Sequence, residues 1–153
     1  MKQRKRQSSL WIQAAVLGAV ALGLVAWMVY AEMKPLNRNE LKIEVASLRS
    51  LAADGRLLGE QTLAGRTTKT FFGTENYLLH DKVATTRQGL DSDSVESGLE
   101  GQLSQARQLA AQLQSEYQTF STSFENQAGL TVEKDRFDLL RAQLKQLEES
   151  LKQ

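Results

Sequence analysis

From Leu10 to Ala31 the chain runs for 22 residues in which Gln13 is the only side chain bearing an amide or a charge. A helix of that length measures ~33 Å at 1.5 Å per residue, against a hydrocarbon core of ~30 Å, so the run is expected to cross a bilayer once. Trp11 stands near one end and Trp27 with Tyr30 near the other, where amphipathic rings anchor at headgroup level. Lys2, Arg4, Lys5 and Arg6 precede the run, whereas Glu32, Lys34 and Arg38 after it are mixed in sign. The bias of basic residues toward the cytoplasm then gives a cytoplasmic tip at 1–9, a transmembrane helix at 10–31 and an extracytoplasmic domain at 32–153. Val29 and Ala31 would suit a signal peptidase, but the run exceeds the ~7–15 apolar residues of a signal sequence and carries bulky Trp27, Met28 and Tyr30, so an uncleaved anchor is expected. The chain has no cysteine, which excludes lipidation at that junction, disulfides and thiolate chemistry. Ala15, Ala19 and Gly23 form a row of small residues one turn apart, a surface on which a second membrane helix can approach closely.

Beyond the span the spacing of apolar residues predicts helices throughout. Pro35 breaks the run, and Asn37 and Asn39 offer N-cap side chains for a helix restarting near residue 38. Leu41, Val45, Leu48 and Ala52 follow at 4-3-4 spacing. Leu51, Leu58, Gly65, Phe72 and Leu79 then stand seven apart, with Leu57, Ala64, Phe71 and Leu78 one position before the last four. Gly55, Gly59, Gly65 and Gly73 weaken this stretch, either for close helix contact or as breaks. Because the apolar spacing survives each glycine, one long helix over about 38–88, straight or kinked, is the favoured expectation. A turn is expected at Gly89–Ser94, with Asp93 or Ser94 as the next N-cap.

The strongest pattern comes next: Leu99, Leu103, Ala106, Ala110, Leu113, Tyr117, Phe120 and Phe124 repeat as 4-3-4-3-4-3-4, a coiled-coil seam. Ala128-Gly129-Leu130-Thr131 is expected to end that helix and to open another with Thr131 as N-cap. Phe137, Leu140, Leu144, Leu147 and Leu151 carry the last seam. The fold class expected is therefore all-α: one N-terminal transmembrane helix, then an antiparallel extracytoplasmic bundle or coiled coil of about three helices.

Residue chemistry narrows function chiefly by what it lacks. His80 is the only histidine and has no cysteine or second histidine with which to share a metal, so no metal site and no cofactor are expected. The carboxylate pairs Asp91/Asp93, Glu96/Glu100 and Glu148/Glu149 fall in a turn or on polar helix faces, where caps and ion pairs are the expected roles rather than acid–base catalysis. No phosphate-cradling loop or nucleophile elbow occurs, so no catalytic residue is assigned. From Glu32 onward 15 basic and 18 acidic side chains leave no cationic face for nucleic acid. Thr62, Arg66, Thr67, Thr68, Thr70 and Thr74 gather around Phe71 and Phe72, most simply as the polar flank of core aromatics.

In layout, a basic tip, one span and a helical ectodomain, the chain resembles the small bitopic coiled-coil proteins of bacterial division and secretion machineries. That resemblance implies a non-enzymatic scaffold or adaptor in the inner membrane, with lipid around its span and a second copy or an envelope protein as partner. The bundle also looks like chemoreceptor input domains, which implies a ligand-binding sensor as the alternative. Those domains return through a second span, and no further apolar run follows here, so a sensor would signal through a separate protein.

Overall fold

The computed structural model describes residues 35–91 and 94–152, and among these every regular element is a helix. The chain divides into Met1–Lys34 and Pro35–Gln153. The expected tip and span, with Ala15, Ala19 and Gly23, lie outside the described residues. Within those residues no helix is long and apolar enough to cross a membrane.

Helix α1, Arg38–Leu63, starts on a capping box. The Asn37 side chain accepts from the Glu40 backbone N–H at 3.0 Å, and the Asn37 N–H donates back to the Glu40 carboxylate at 3.1 Å. Two donors that the first turn cannot use internally are satisfied in this way, and the acidic Glu40 suits the positive helix end.

The long helix expected over 38–88 does not form. Gly65 sits at φ +66°, its N–H bonds to the Thr62 carbonyl at 2.9 Å, and the Arg66 N–H bonds to the Gln61 carbonyl at 2.9 Å. This is a Schellman closure, and it stops α1 after Leu63 because glycine enters the left-handed region without a Cβ penalty. Thr68 then caps α2, Lys69–Gly89, by accepting from the Phe71 N–H at 3.2 Å. The described residues thus hold four helices where about three were expected.

Two further boundaries differ from expectation. The segment 94–96 does not cap a helix. The Leu36 N–H donates to the Ser94 carbonyl, and the Glu96 N–H to the Leu36 carbonyl, each at 3.0 Å, so Leu36 and Val95 form an isolated parallel bridge. Helix α3, Glu100–Phe120, begins only after Leu99, which has no side-chain cap. It ends at Phe120 rather than near Ala128, and α4, Gln127–Ser150, is capped by Asn126, whose side chain accepts from the Gly129 N–H at 3.0 Å. Thr131 therefore lies inside α4, and its hydroxyl donates to the Gln127 carbonyl one turn back. Asn126 takes the cap because its side-chain oxygen accepts from the N3 N–H, a position where asparagine is preferred over threonine.

Helix α1 packs along α4 and α2, α3 packs along α2 and α4, and α1 also meets α3 across the centre. The result is four antiparallel neighbours around one core, with each helix turning its apolar stripe inward.

Candidate functional site

The seam residues fill the interior of their own chain. Leu103, Ala106, Ala110, Leu113, Tyr117 and Phe120 are buried on α3, and Leu99 is buried just before it. Phe137, Leu140, Leu144 and Leu147 are buried on α4, and Leu151 is buried at its C-cap. Phe124 is half-buried in the loop after α3 rather than on a helix. Leu109, beside the expected stripe, is buried as well and makes the inward face of α3 wider than a strict seam. Whatever binds this chain from outside must use other side chains.

At the centre, the Tyr117 hydroxyl donates to the Leu51 carbonyl at 2.6 Å, and burial together with the charge of Asp54 pushes this phenol well above its ordinary pKa. Gly55 makes the approach possible, since a Cβ there would stand 2.7 Å from that hydroxyl and 2.8 Å from the Phe137 ring. Phe124, Phe72, Phe120, Phe137 and Tyr117 then form a continuous chain of ring contacts, with centroids 4.8 to 5.3 Å apart and tilted or edge-on.

On the α3–α4 side, Glu133 is 5% exposed and faces Glu116. Burial first, then the hydrogen bond and charge of Glu116, push its carboxyl up to about 7, against the opposing pull of Arg136. The Arg136 guanidinium stands 3.4 Å from Glu116 and 3.5 Å from Glu133. Three groups on two helices thus carry a single net negative charge or none, according to whether one proton is held near neutral pH.

The outer face of α1 and α2 carries a second periodic pattern. Ile43, Ser47, Ser50, Asp54, Leu57 and Gln61 follow one another at spacings of 4 and 3 on α1, outside the core stripe. Leu57 is 50% exposed, and on α2 Phe71 and Leu78 are 48% and 44% exposed. Leu57 and Phe71 line one section of the crevice between these helices, and Ser47, Ser50, Thr85 and Thr86 line the next. Asp54 and Lys82 belong to both sections, which makes one groove with an acid and a base at its middle. It covers about four turns of α1, ~21 Å, enough to seat a helix.

The remaining candidates fall into local roles. Thr62 donates to the Leu58 carbonyl at 2.7 Å, Thr67 donates to Thr62 at 2.9 Å, and Thr68 is the α2 N-cap, so most of the threonine cluster builds the α1–α2 turn. Glu96 accepts from the Arg38 N–H at 3.2 Å and Glu100 from the Gly98 N–H at 3.0 Å. Glu148 pairs with Arg49 at 2.8 Å. Asp93 lies outside the described residues. Among the described residues no three of His, Cys, Asp or Glu are grouped to hold a metal ion. Asn76, the Glu116/Glu133 pair and the groove were not expected from the sequence, because each depends on which helix stands opposite. Comparison of the chain with protein-family models, with curated proteins and with solved structures finds no match.

Proposed function

We propose that this chain is a non-enzymatic scaffold of a bacterial-type inner membrane, anchored by residues 10–31 with its helical domain in the periplasm, and that two copies pair through the groove between α1 and α2. One observation carries the reading: Leu57 and Phe71 leave about half of their surface uncovered along a single groove, with Leu78 similarly exposed on α2, while the seams of α3 and α4 are already closed. The choice of a second copy follows from charge. A two-fold axis through the middle of the groove sets Asp54 of each copy against Lys82 of the other, an arrangement that is complementary to itself. The small-residue row Ala15, Ala19 and Gly23 favours the same stoichiometry within the bilayer. Function then rests on a helical surface held at the membrane, with coiled-coil-like pairing of outward stripes rather than chemistry at a pocket.

Sedimentation equilibrium of the full chain in detergent tests the reading. A dimer is expected, with Asp54→Lys or Lys82→Asp shifting it toward monomer and the double exchange restoring it. A monomeric wild type, or a dimer indifferent to both exchanges, would overturn the groove. A mature protein beginning at Glu32 and extracted without detergent would overturn the anchor.

A further inference from the structure

On the other flank of α2, a cleft of about 250 Å³ opens between that helix and the end of α3. Asn76, only 5% exposed, lines it. Its Nδ2 donates to the Tyr117 carbonyl at 3.1 Å, but its Oδ1 is buried and meets no protein donor. One turn further along the same face, the Nε2 of His80 is likewise buried without a protein partner and lines the same cleft. A buried polar atom left without a partner destabilises a fold, so two in one cleft point to a ligand that bonds to both and donates to Asn76 Oδ1.

Gly73, one turn before Asn76, supports this reading independently. It lies within α2, where glycine weakens a helix relative to alanine, yet a Cβ built on it would meet nothing within 4 Å. Packing therefore does not require glycine there. What the missing side chain does is keep the cleft open beside Asn76.

The lining also sets the sign of the ligand. It includes no charged side chain, and the Ser121 hydroxyl is already committed to the Gln118 carbonyl at 2.6 Å. The cleft lies at the C-terminal end of α3, where the helix dipole is negative and the last turn carries no basic residue. Tyr77, an exposed aromatic residue, lines the remaining wall, a surface suited to an apolar body and to a cation near its ring.

We propose that the cleft between α2 and α3 binds a small organic amine in its protonated form. The ammonium group donates to Asn76 Oδ1 and to the Nε2 lone pair of His80, while the carbon skeleton lies over the Gly73 backbone against Tyr77. A carboxylate of the same shape would set its charge against the Asn76 oxygen and a negative helix end, and an alcohol has one proton to give where the ammonium has three. This site stands whether or not two copies pair, since it uses none of the groove residues.

Because His80 is the only histidine, its imidazole is an unambiguous reporter. The full chain in detergent, with ¹⁵N-labelled histidine, is titrated at pH 8 with phenethylammonium, and in parallel with 3-phenylpropionate and phenethyl alcohol. A saturable shift of the His80 ring signals is expected for the amine, with Kd on the order of 1 mM for a ligand of so few heavy atoms. Gly73→Leu, which fills the cleft at a position with no neighbour to clash, should keep the helical circular dichroism and weaken binding about tenfold or more; Gly73→Ala should do less. Absence of a saturable shift, an equal response to the carboxylate or the alcohol, or unchanged binding in Gly73→Leu would each overturn the proposal.

Discussion

The Tyr117 hydroxyl reaches across the bundle to the Leu51 carbonyl at 2.6 Å, joining α3 to the diagonal helix α1. Gly55 on α1 lies directly under that bond, and no larger residue fits without moving Tyr117 or Phe137. Gly55→Ala should therefore destabilise the domain by about 1–3 kcal/mol despite the better helix propensity of alanine, through overpacking. Tyr117→Phe keeps the ring and loses the bond, and should cost about 1 kcal/mol. Urea unfolding followed by circular dichroism measures both, and a stabilised Gly55→Ala would contradict the close approach.

Gly65 ends α1 at positive φ with open space around it, so the effect of a side chain there is purely conformational. Gly65→Ala should cost about 1–2 kcal/mol through left-handed strain. Asn, which tolerates that region, should cost less. The midpoint of thermal unfolding should rank the three in the order Gly, Asn, Ala.

These two glycines show what the sequence makes legible. The stripe Leu51, Leu58, Gly65, Phe72, Leu79 continues in phase through a chain reversal, because antiparallel neighbours both turn their apolar residues inward. A seven-residue spacing therefore does not distinguish one long helix from two short ones. The deciding signal was local: a glycine at 65 followed three residues later by Thr68, a C′ residue and an N-cap in sequence. The Leu103–Phe120 pattern was readable because it lies within one helix. Asn76 and Glu133 were not, because their character comes from Tyr117 and Glu116 on neighbouring helices.

Glu133 gives the domain a pH dependence of defined sign. Its folded carboxyl titrates near 7 and an unfolded one near the ordinary value, so between roughly pH 4.5 and 7 the folded state holds more protons. Stability contributed by the protonated form is complete below that window and is lost as pH rises through it. Glu133→Gln should therefore stabilise the protein at pH 8, on the order of 1–2 kcal/mol, and flatten the profile across the window. Glu116→Gln should act in the same direction by removing the facing charge. Unfolding midpoints at pH 5 and pH 8 check both.

Leu113 and Leu144 are fully buried, whereas Leu139, on the same helix as Leu144, is 60% exposed. An aspartate at either buried site should cost more than about 4 kcal/mol and abolish cooperative unfolding. At Leu139 it should change stability by less than about 0.5 kcal/mol. Helicity of the three variants, measured side by side, separates core from surface.

The bridge between Leu36 and Val95 fastens the point where the chain enters α1, and the Arg38 N–H adds a third bond to Glu96. Any mechanical tension arriving along the backbone from residue 34 meets this latch before it meets a helix. The strap 94–96 thus gives the domain a defined weak point, at which a pull would first detach the leading residues and leave the aromatic interior untouched.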